Sequence, residues 1–308
     1  MRRYINCGLE TGLEEIKDWQ PNCWICIESP EEEDFNLISR LEIPTSFIDS
    51  ISDPDERPRL ERDGEWLMAV IRIPVLEKVD GVEKFSTTPM GIIARDDVTA
   101  TICSHTTNLV PDFLDHTRRR GIKVDSVPNL ILRLIYSSTF WFLHYLKDIN
   151  ESVNRTSRIL RTSITNDDLL GLMGVQQALV YFNTSIKGNE VLIDRIRKVF
   201  DGEYDDDLLD QIEVEIKQAA NTVDVYDDIL AGMMDTYASV ISNNVNDIMK
   251  KMTGVSVVIM FPTLIASFYG MNVAIQSAQS PWAFSFIVVG SIAFAIILYF
   301  VLRKIRWL

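Results

Sequence analysis

No aspartate or glutamate follows Asp247 in this 308-residue chain. All 44 acids lie before that point, where they outnumber the cations and leave about −18 of charge. Residues 251–308 carry only four charged side chains, Lys251, Arg303, Lys304 and Arg306, and all are basic. A chain divided this way meets two solvents. Its acidity excludes nucleic acid as a partner, because phosphate binding needs a basic surface. Metal cations or a basic partner suit it better.

Histidine and cysteine are also scarce. His105, His116 and His144 are scattered, and the four cysteines are Cys7, Cys23, Cys26 and Cys103. Cys23-Trp-Ile-Cys26 has the C-x-x-C spacing of zinc and redox sites, but no second pair completes a ligand set. Its apolar, β-branched surroundings predict a buried strand. Unpaired cysteines fit a reducing cytosol. Met1-Arg2-Arg3-Tyr4 leads into no apolar run, so no signal peptide is expected. The chain also lacks a phosphate-cradling glycine loop and a nucleophile–base set, so it does not read as an enzyme.

What is present is an α/β segment, then long helices, then two apolar spans. Residues 1–125 read as a cytosolic α/β domain with strands at Cys23 to Glu28, Trp66 to Ile73, Gly91 to Ala94 and Thr99 to Cys103. Helices are expected at Pro30 to Leu41, with Pro30 and the acids through Asp34 in its first turn, and at Leu109 to Arg119. Residues 126–203 read as a helical hairpin region, its second helix starting after Thr165-Asn-Asp-Asp168. Residues 204–251 form a proline-free stalk helix, with an apolar stripe from Ile212 and Ile216 through Leu230 to Ile241 and Ile248. Such a helix cannot bury its stripe alone, which predicts an oligomer of bundled helices.

Residues 252–271 and 282–302 are uncharged and long enough to cross a hydrocarbon core of roughly 30 Å. The short connection 272–281 makes them a hairpin with an extracytosolic loop. Lys250 and Lys251 precede the first span, and a basic tail, 303–308, follows the second. The positive-inside rule then puts both termini in the cytosol of a cell-membrane protein. Asn246, Thr253, Met260 and Ser267 recur every seven residues, with Met249, Ser256, Thr263 and Asn272 close to the same face. This polar and Met-rich stripe predicts a helix interface or a water-filled path. The second span has only scattered Ser285, Ser291 and Tyr299 and is expected to face lipid. Neutral oxygens suit a hydrated cation, because Mg²⁺ dehydrates reluctantly and can be held through its waters.

Tyr269-Gly270-Met271-Asn272 ends the first span. With the second span, the basic end, Asn246-Asp-Ile-Met-Lys250, Pro262-Thr263 and an upstream Arg57-Pro58 with Glu61, it resembles the CorA family of magnesium channels. The resemblance is tight from about Asp235 to Leu308 and loose before it. It implies a funnel-shaped homopentamer in the lipid bilayer, with Mg²⁺ as both transported and regulatory ion and Co²⁺ or Ni²⁺ as further cargo. Gly270, Met271 and Asn272 would form the selectivity filter. Asn246, Met249, Met252, Thr253, Ser256, Met260, Thr263 and Ser267 would line the pore, and Asp235 would sit at its inner mouth. Two departures stand out: the loop after the signature has no acid, and an expected regulatory acid pair reads Asp49-Ser50, facing Asp210-Gln211. The resemblance therefore implies a shifted or weakened regulatory metal site, with Asp49, Asp210, Asp205, Asp206 and Asp207 as its remaining acids. Alternatives are a zinc transporter of the ZntB type, disfavoured by Met271, and a membrane-anchored signalling or scaffold protein, disfavoured by the one-sided polar stripe.

Overall fold

The computed structural model describes residues 1–8, 12–79, 82–122, 124–159, 166–271, 282–305 and 307. The chain divides into two compact units, Met1–Ala231 and Gly232–Leu308. The elements of the first are β1 (Arg2–Gly8), β2 (Gly12–Ile16), β3 (Cys23–Glu28), α1 (Glu32–Arg40), α2 (Thr45–Ser52), β4 (Arg59–Asp63), β5 (Trp66–Val79), β6 (Val82–Arg95), β7 (Val98–Cys103), α3 (Leu109–Arg120), α4 (Val127–Ile159) and α5 (Asn166–Val199). Helix α6 (Asp206–Tyr269) contributes to both units, and α7 (Ala283–Lys304) belongs to the second.

The strands form one seven-stranded sheet in the order β2-β1-β3-β7-β6-β5-β4, parallel only between β3 and β7. Central strands are covered on both faces, which is why their sequences are continuously apolar. All six residues of β3 are buried. Its odd residues Cys23, Ile25 and Ile27 join Ile38 of α1, Phe47 and Ile51 of α2, and Met68 of β5 in one core. On the opposite face Trp24 meets Phe113 of α3 edge-on at 5.8 Å and donates its indole N–H to Thr101 at 3.0 Å. Helices α4 and α5 cover the same sheet through Phe142 and Phe182, whose rings lie 5.1 Å apart, with Phe85 of β6 at 6.5 Å from Phe182. The hairpin expected at 126–203 is thus a layer of the sheet unit.

The period of two along a strand sends Cys23 and Cys26 to opposite faces. One metal ion cannot reach both. Burial pushes the Cys26 and Cys103 thiols up to about 12, so both stay protonated.

Three strands escape the sequence pattern: RRYINCG, GLEEI and RLERD. Two of them, β2 and β4, are the edges of the sheet. An edge has less apolar surface to cover and tolerates charge. Helix α1 starts one turn-position later than its proline suggested. Glu31 is the cap, Pro30 precedes it, and Asp34 accepts the Glu31 N–H at 3.0 Å.

A polar network locks the helices to the sheet. Strand β4 pairs with β5 only as far as Val70, so Arg72 has no strand partner on that side. Asn189 of α5 substitutes for the missing strand. Its Oδ1 accepts the Arg72 N–H at 2.9 Å, and its amide donates to the Arg72 carbonyl at 2.8 Å. Ser138 of α4 donates to the same carbonyl at 3.1 Å. The Arg72 guanidinium donates to the Thr87 carbonyl and hydroxyl at 3.0 and 2.6 Å and to the carbonyls of Pro54 and Glu56. Burial lowers its pKa, and Asp55, Asp53 and Glu56 oppose that shift.

The loop that Arg72 holds carries Arg57-Pro58, and Pro58 seats on Gly188, one residue before Asn189. A Cβ at 188 would lie 2.8 and 2.9 Å from Pro58 Cγ and Cδ, and a proline ring cannot rotate away. We predict that Gly188→Ala destabilises the first unit by about 1–3 kcal/mol. Thermal unfolding of the full-length protein checks it. An unchanged midpoint would refute the Pro58 contact, and Pro58→Ala should restore much of the loss.

Candidate functional site: a neutral stripe on the first span

The second unit holds two helices long and apolar enough to cross a membrane. Along α6 the less exposed positions are Gly254, Val257, Val258, Phe261, Pro262 and Ile265, spaced as one helical face. Phe261 meets Phe294 of α7 with ring centroids 5.1 Å apart. On α7 the matching face runs through Ile287, Ser291, Ala295, Leu298 and Leu302. Ser291 is 8% exposed and donates to the Ile287 carbonyl at 2.7 Å. Ser291 thus lies on the side of α7 that meets α6.

Asn246, Met249, Met252, Thr253, Ser256, Met260, Thr263 and Ser267 are all exposed. At 100° per residue their mean direction lies on the order of 150° around the axis from the face that meets α7. Met252 and Met260 are 64% and 63% exposed. Asp235 is exposed on the same line, nearer the start of the helix.

The chemistry of that stripe is one-sided. Thr253 donates to the Met249 carbonyl at 2.8 Å, Ser256 to Met252 at 2.9 Å and Thr263 to Ile259 at 2.9 Å. Each hydroxyl spends its proton on the helix and keeps lone pairs to present outward. Thioethers and an amide complete the set. Such a surface attracts the positive end of a dipole or a hydrated cation, without a fixed charge to trap it. Pro262 lies inside α6 and has no N–H for the Val258 carbonyl, yet the helix continues to Tyr269.

At the end of the span the Gly270 N–H donates to the carbonyls of Ala266 and Ser267 at 3.0 and 3.2 Å, and Met271 to Phe268 at 3.4 Å. The helix closes by tightening its last turn. Gly270 does not adopt a positive φ. Among the described residues, a Cβ there would meet the Ala266 and Ser267 carbonyl oxygens at 3.5 Å, an ordinary contact. The helix end therefore does not require glycine for its own geometry, contrary to the simplest reading of the signature. Asn272 and the loop 272–281 lie outside the described residues.

Three of the acids expected at a regulatory site lie at the start of α6. Asp205 caps α6 by accepting the Leu208 N–H at 3.2 Å. Its own N–H donates to Asn129 at 2.9 Å, and Arg133 approaches its carboxylate at 3.9 Å. Asp206 and Asp207 occupy the first turn, where the helix dipole favours them. Asp49 and Asp210 are exposed on α2 and α6. Among the described residues of this one chain, no three acidic, His or Cys side chains converge as a metal site.

Arg59 is the residue that sequence reasoning missed. Its guanidinium donates to the Ser50 hydroxyl at 3.0 Å and pairs with Glu56 and with Glu61 at 3.0 Å. Ser50 in turn donates to the Ser46 carbonyl at 2.8 Å. An arginine thus stands where the resemblance led us to expect a metal-facing carboxylate. Only the fold brings β4 beside the end of α2, so nothing in the spacing announced it.

The sequence profile described as CorA-like Mg²⁺ transporter protein matches residues 19–304. The cobalt/magnesium transport protein CorA of Methanocaldococcus jannaschii is 25% identical, over 97% of this chain and 96% of that protein. The complete structure of the CorA magnesium transporter from that organism superposes with a TM-score of 0.79 at 18% identity, covering 100% of this chain and 99% of that one. The ZntB cytoplasmic domain from Vibrio parahaemolyticus shares the fold with a TM-score of 0.58 at 13% identity, over 78% of this chain and 98% of that one. With the family profile spanning nearly the whole sequence, this chain belongs to the CorA-like Mg²⁺ transporter family.

Proposed function

We propose that five copies of this chain form a membrane channel that admits hydrated Mg²⁺, with Co²⁺ and Ni²⁺ as further cargo, and that cytosolic divalent cations gate it. The observation that carries this reading is the exposed neutral stripe of α6 on the side away from α7. Turned inward in a ring, it becomes a path of lone pairs and thioethers on a helix that crosses the bilayer. Residues 252–271 line the pore in this reading, 282–302 face outward, and 204–251 form the stalk. Both termini lie in the cytosol of a cell-membrane protein.

Gly270, Met271 and Asn272 then form the outer ring. A ring of Asn272 amides holds the ion through its waters, so that it can still leave. Since Gly270 is not required within its own chain, its small size serves the approach of neighbouring subunits or of the hydrated ion. We predict that Asn272→Ala abolishes divalent flux in proteoliposomes while the oligomer survives. Flux of Mg²⁺, Co²⁺, Ni²⁺ and Zn²⁺ is measured in parallel. Wild-type rates from an intact Asn272→Ala oligomer would sink the proposal, and a clear preference for Zn²⁺ would replace the cargo.

Met260 and Met252 form an apolar constriction in this path. Met260→Ser should raise basal conductance, because a hydroxyl keeps water in a gap that thioethers let dry. Unchanged single-channel conductance with normal expression would remove Met260 from the pore.

Gating by cytosolic Mg²⁺ is weakened here, because Arg59 supplies at Ser50 the positive charge that a metal would bring. The variant Ser50→Asp with Gln211→Asp should gain little sensitivity while Arg59 is present, since the new carboxylate pairs with it. Adding Arg59→Gln should lower the half-closing Mg²⁺ concentration several-fold. Current measured against cytosolic Mg²⁺ tests this, and equal sensitivity in both variants would refute the role of Arg59.

A further inference from the structure

The last acid of the chain, Asp247, is followed closely by a band of cations. Lys250 and Lys251 lie on α6, and Arg303 and Lys304 on α7. The contact between Phe261 and Phe294 fixes how the two antiparallel helices are aligned. Counting ten residues back along α6 and ten forward along α7 brings Lys251 level with Lys304. Arg303 is then level with Met252, and Lys250 with Ile305. All four cations are exposed. Among the described residues one acid approaches them: Asp247 lies 3.9 Å from Lys250. Among the described residues, no carboxylate lies within ion-pair distance of Lys251, Arg303 or Lys304.

The band sits where the uncharged span begins. In a bilayer this is the depth of the lipid headgroups. Trp307 follows on the same side, its backbone N–H donating to the Leu302 carbonyl at 2.9 Å and the residue itself 43% exposed. An indole at that depth is the usual companion of an interfacial anchor. Long cationic side chains next to a span lie along it and extend their charges to the phosphates.

We propose that this band is a binding surface for anionic phospholipid headgroups, and that the protein retains such lipids in preference to zwitterionic ones. The inference rests on the membrane placement of the two spans but not on transport. Phosphodiester headgroups with net negative charge are the complement that a membrane surface offers such a band. The same contacts hold the hairpin in depth and orientation.

The test uses the full-length protein in nanodiscs of equimolar phosphatidylglycerol and phosphatidylcholine. The lipids retained after a detergent wash are measured by mass spectrometry. At low salt, phosphatidylglycerol should be enriched by about fivefold or more, the ratio expected of one cation at an anionic surface. The enrichment should collapse at about 1 M salt, where the screening length falls to about 3 Å. The variant Lys250→Gln, Lys251→Gln, Arg303→Gln, Lys304→Gln should lose it. Lys250→Arg with Lys251→Arg should keep it, and so should neutralising Arg118, Arg119 and Arg120 in the first unit. If the quadruple variant does not insert, the wild-type salt series still decides. Equal retention of both lipids by the wild type, retention insensitive to salt, or retention unchanged in an inserted quadruple variant would each overturn the proposal. Because nothing in the assay depends on ion flux, a failed transport reading would leave the result standing.

Discussion

A backbone in hydrocarbon has no water to bond to, so every N–H and C=O must find a partner within its own segment. That constraint shapes the second unit. It demands helices, and it makes each departure from apolar composition expensive. Thr253, Ser256 and Thr263 meet the demand by donating to carbonyls one turn back. What they then offer their surroundings is acceptors alone. A helix built to satisfy itself thereby acquires a face suited to cations. The face bearing Gly254, Phe261 and Ile265 meets the second span, and the acceptor face is left free.

The first unit solves a related problem in water. Strand β4 stops at Val70, and a buried backbone group left unpaired at Arg72 would cost about 1–3 kcal/mol. Asn189 removes that cost by imitating a strand, and Ser138 joins it. The same position fixes the Arg57-Pro58 loop, through the Arg72 guanidinium on one side and Gly188 on the other. Arg59 then leaves that loop directly and reaches Ser50. A packing requirement in the sheet thus sets the charge at the place where regulation is expected.

Charge tells a third part of the story. The acids of the stalk helix are mostly solvated or engaged locally, as with Asp224, which accepts from Asn183 at 2.7 Å and has Lys187 at 3.6 Å. The apolar stripe of α6 is buried at Ile212, Ile216, Ala219, Val223 and Leu230, but Ile241 and Ile248 are 36% and 57% exposed. A single chain therefore covers the first part of the stripe and leaves Ile241 and Ile248 uncovered.

The sequence by itself determined the membrane hairpin, the α/β class of the first unit, the central strands and the neutral stripe. These are read from composition and periodicity, which depend only on local solvent and on the geometry of a helix or strand. It also showed that the C-x-x-C pair lies in a strand, and the period of two then separates the thiols. The tertiary structure alone decided the rest. Strands β1, β2 and β4 carry no clear apolar signal: β2 and β4 are the sheet edges, which tolerate charge, and β1 lies next to an edge. Asp205, a candidate metal ligand by sequence, also caps the start of α6. Which side of α7 carries Ser291 to α6 is decided only where Phe261 meets Phe294. Ser50 looks like a lost ligand until β4 brings Arg59 to it. The cap at Asp205 is local, three residues from Leu208, whereas the Ser291 and Ser50 outcomes depend on elements that only folding sets side by side.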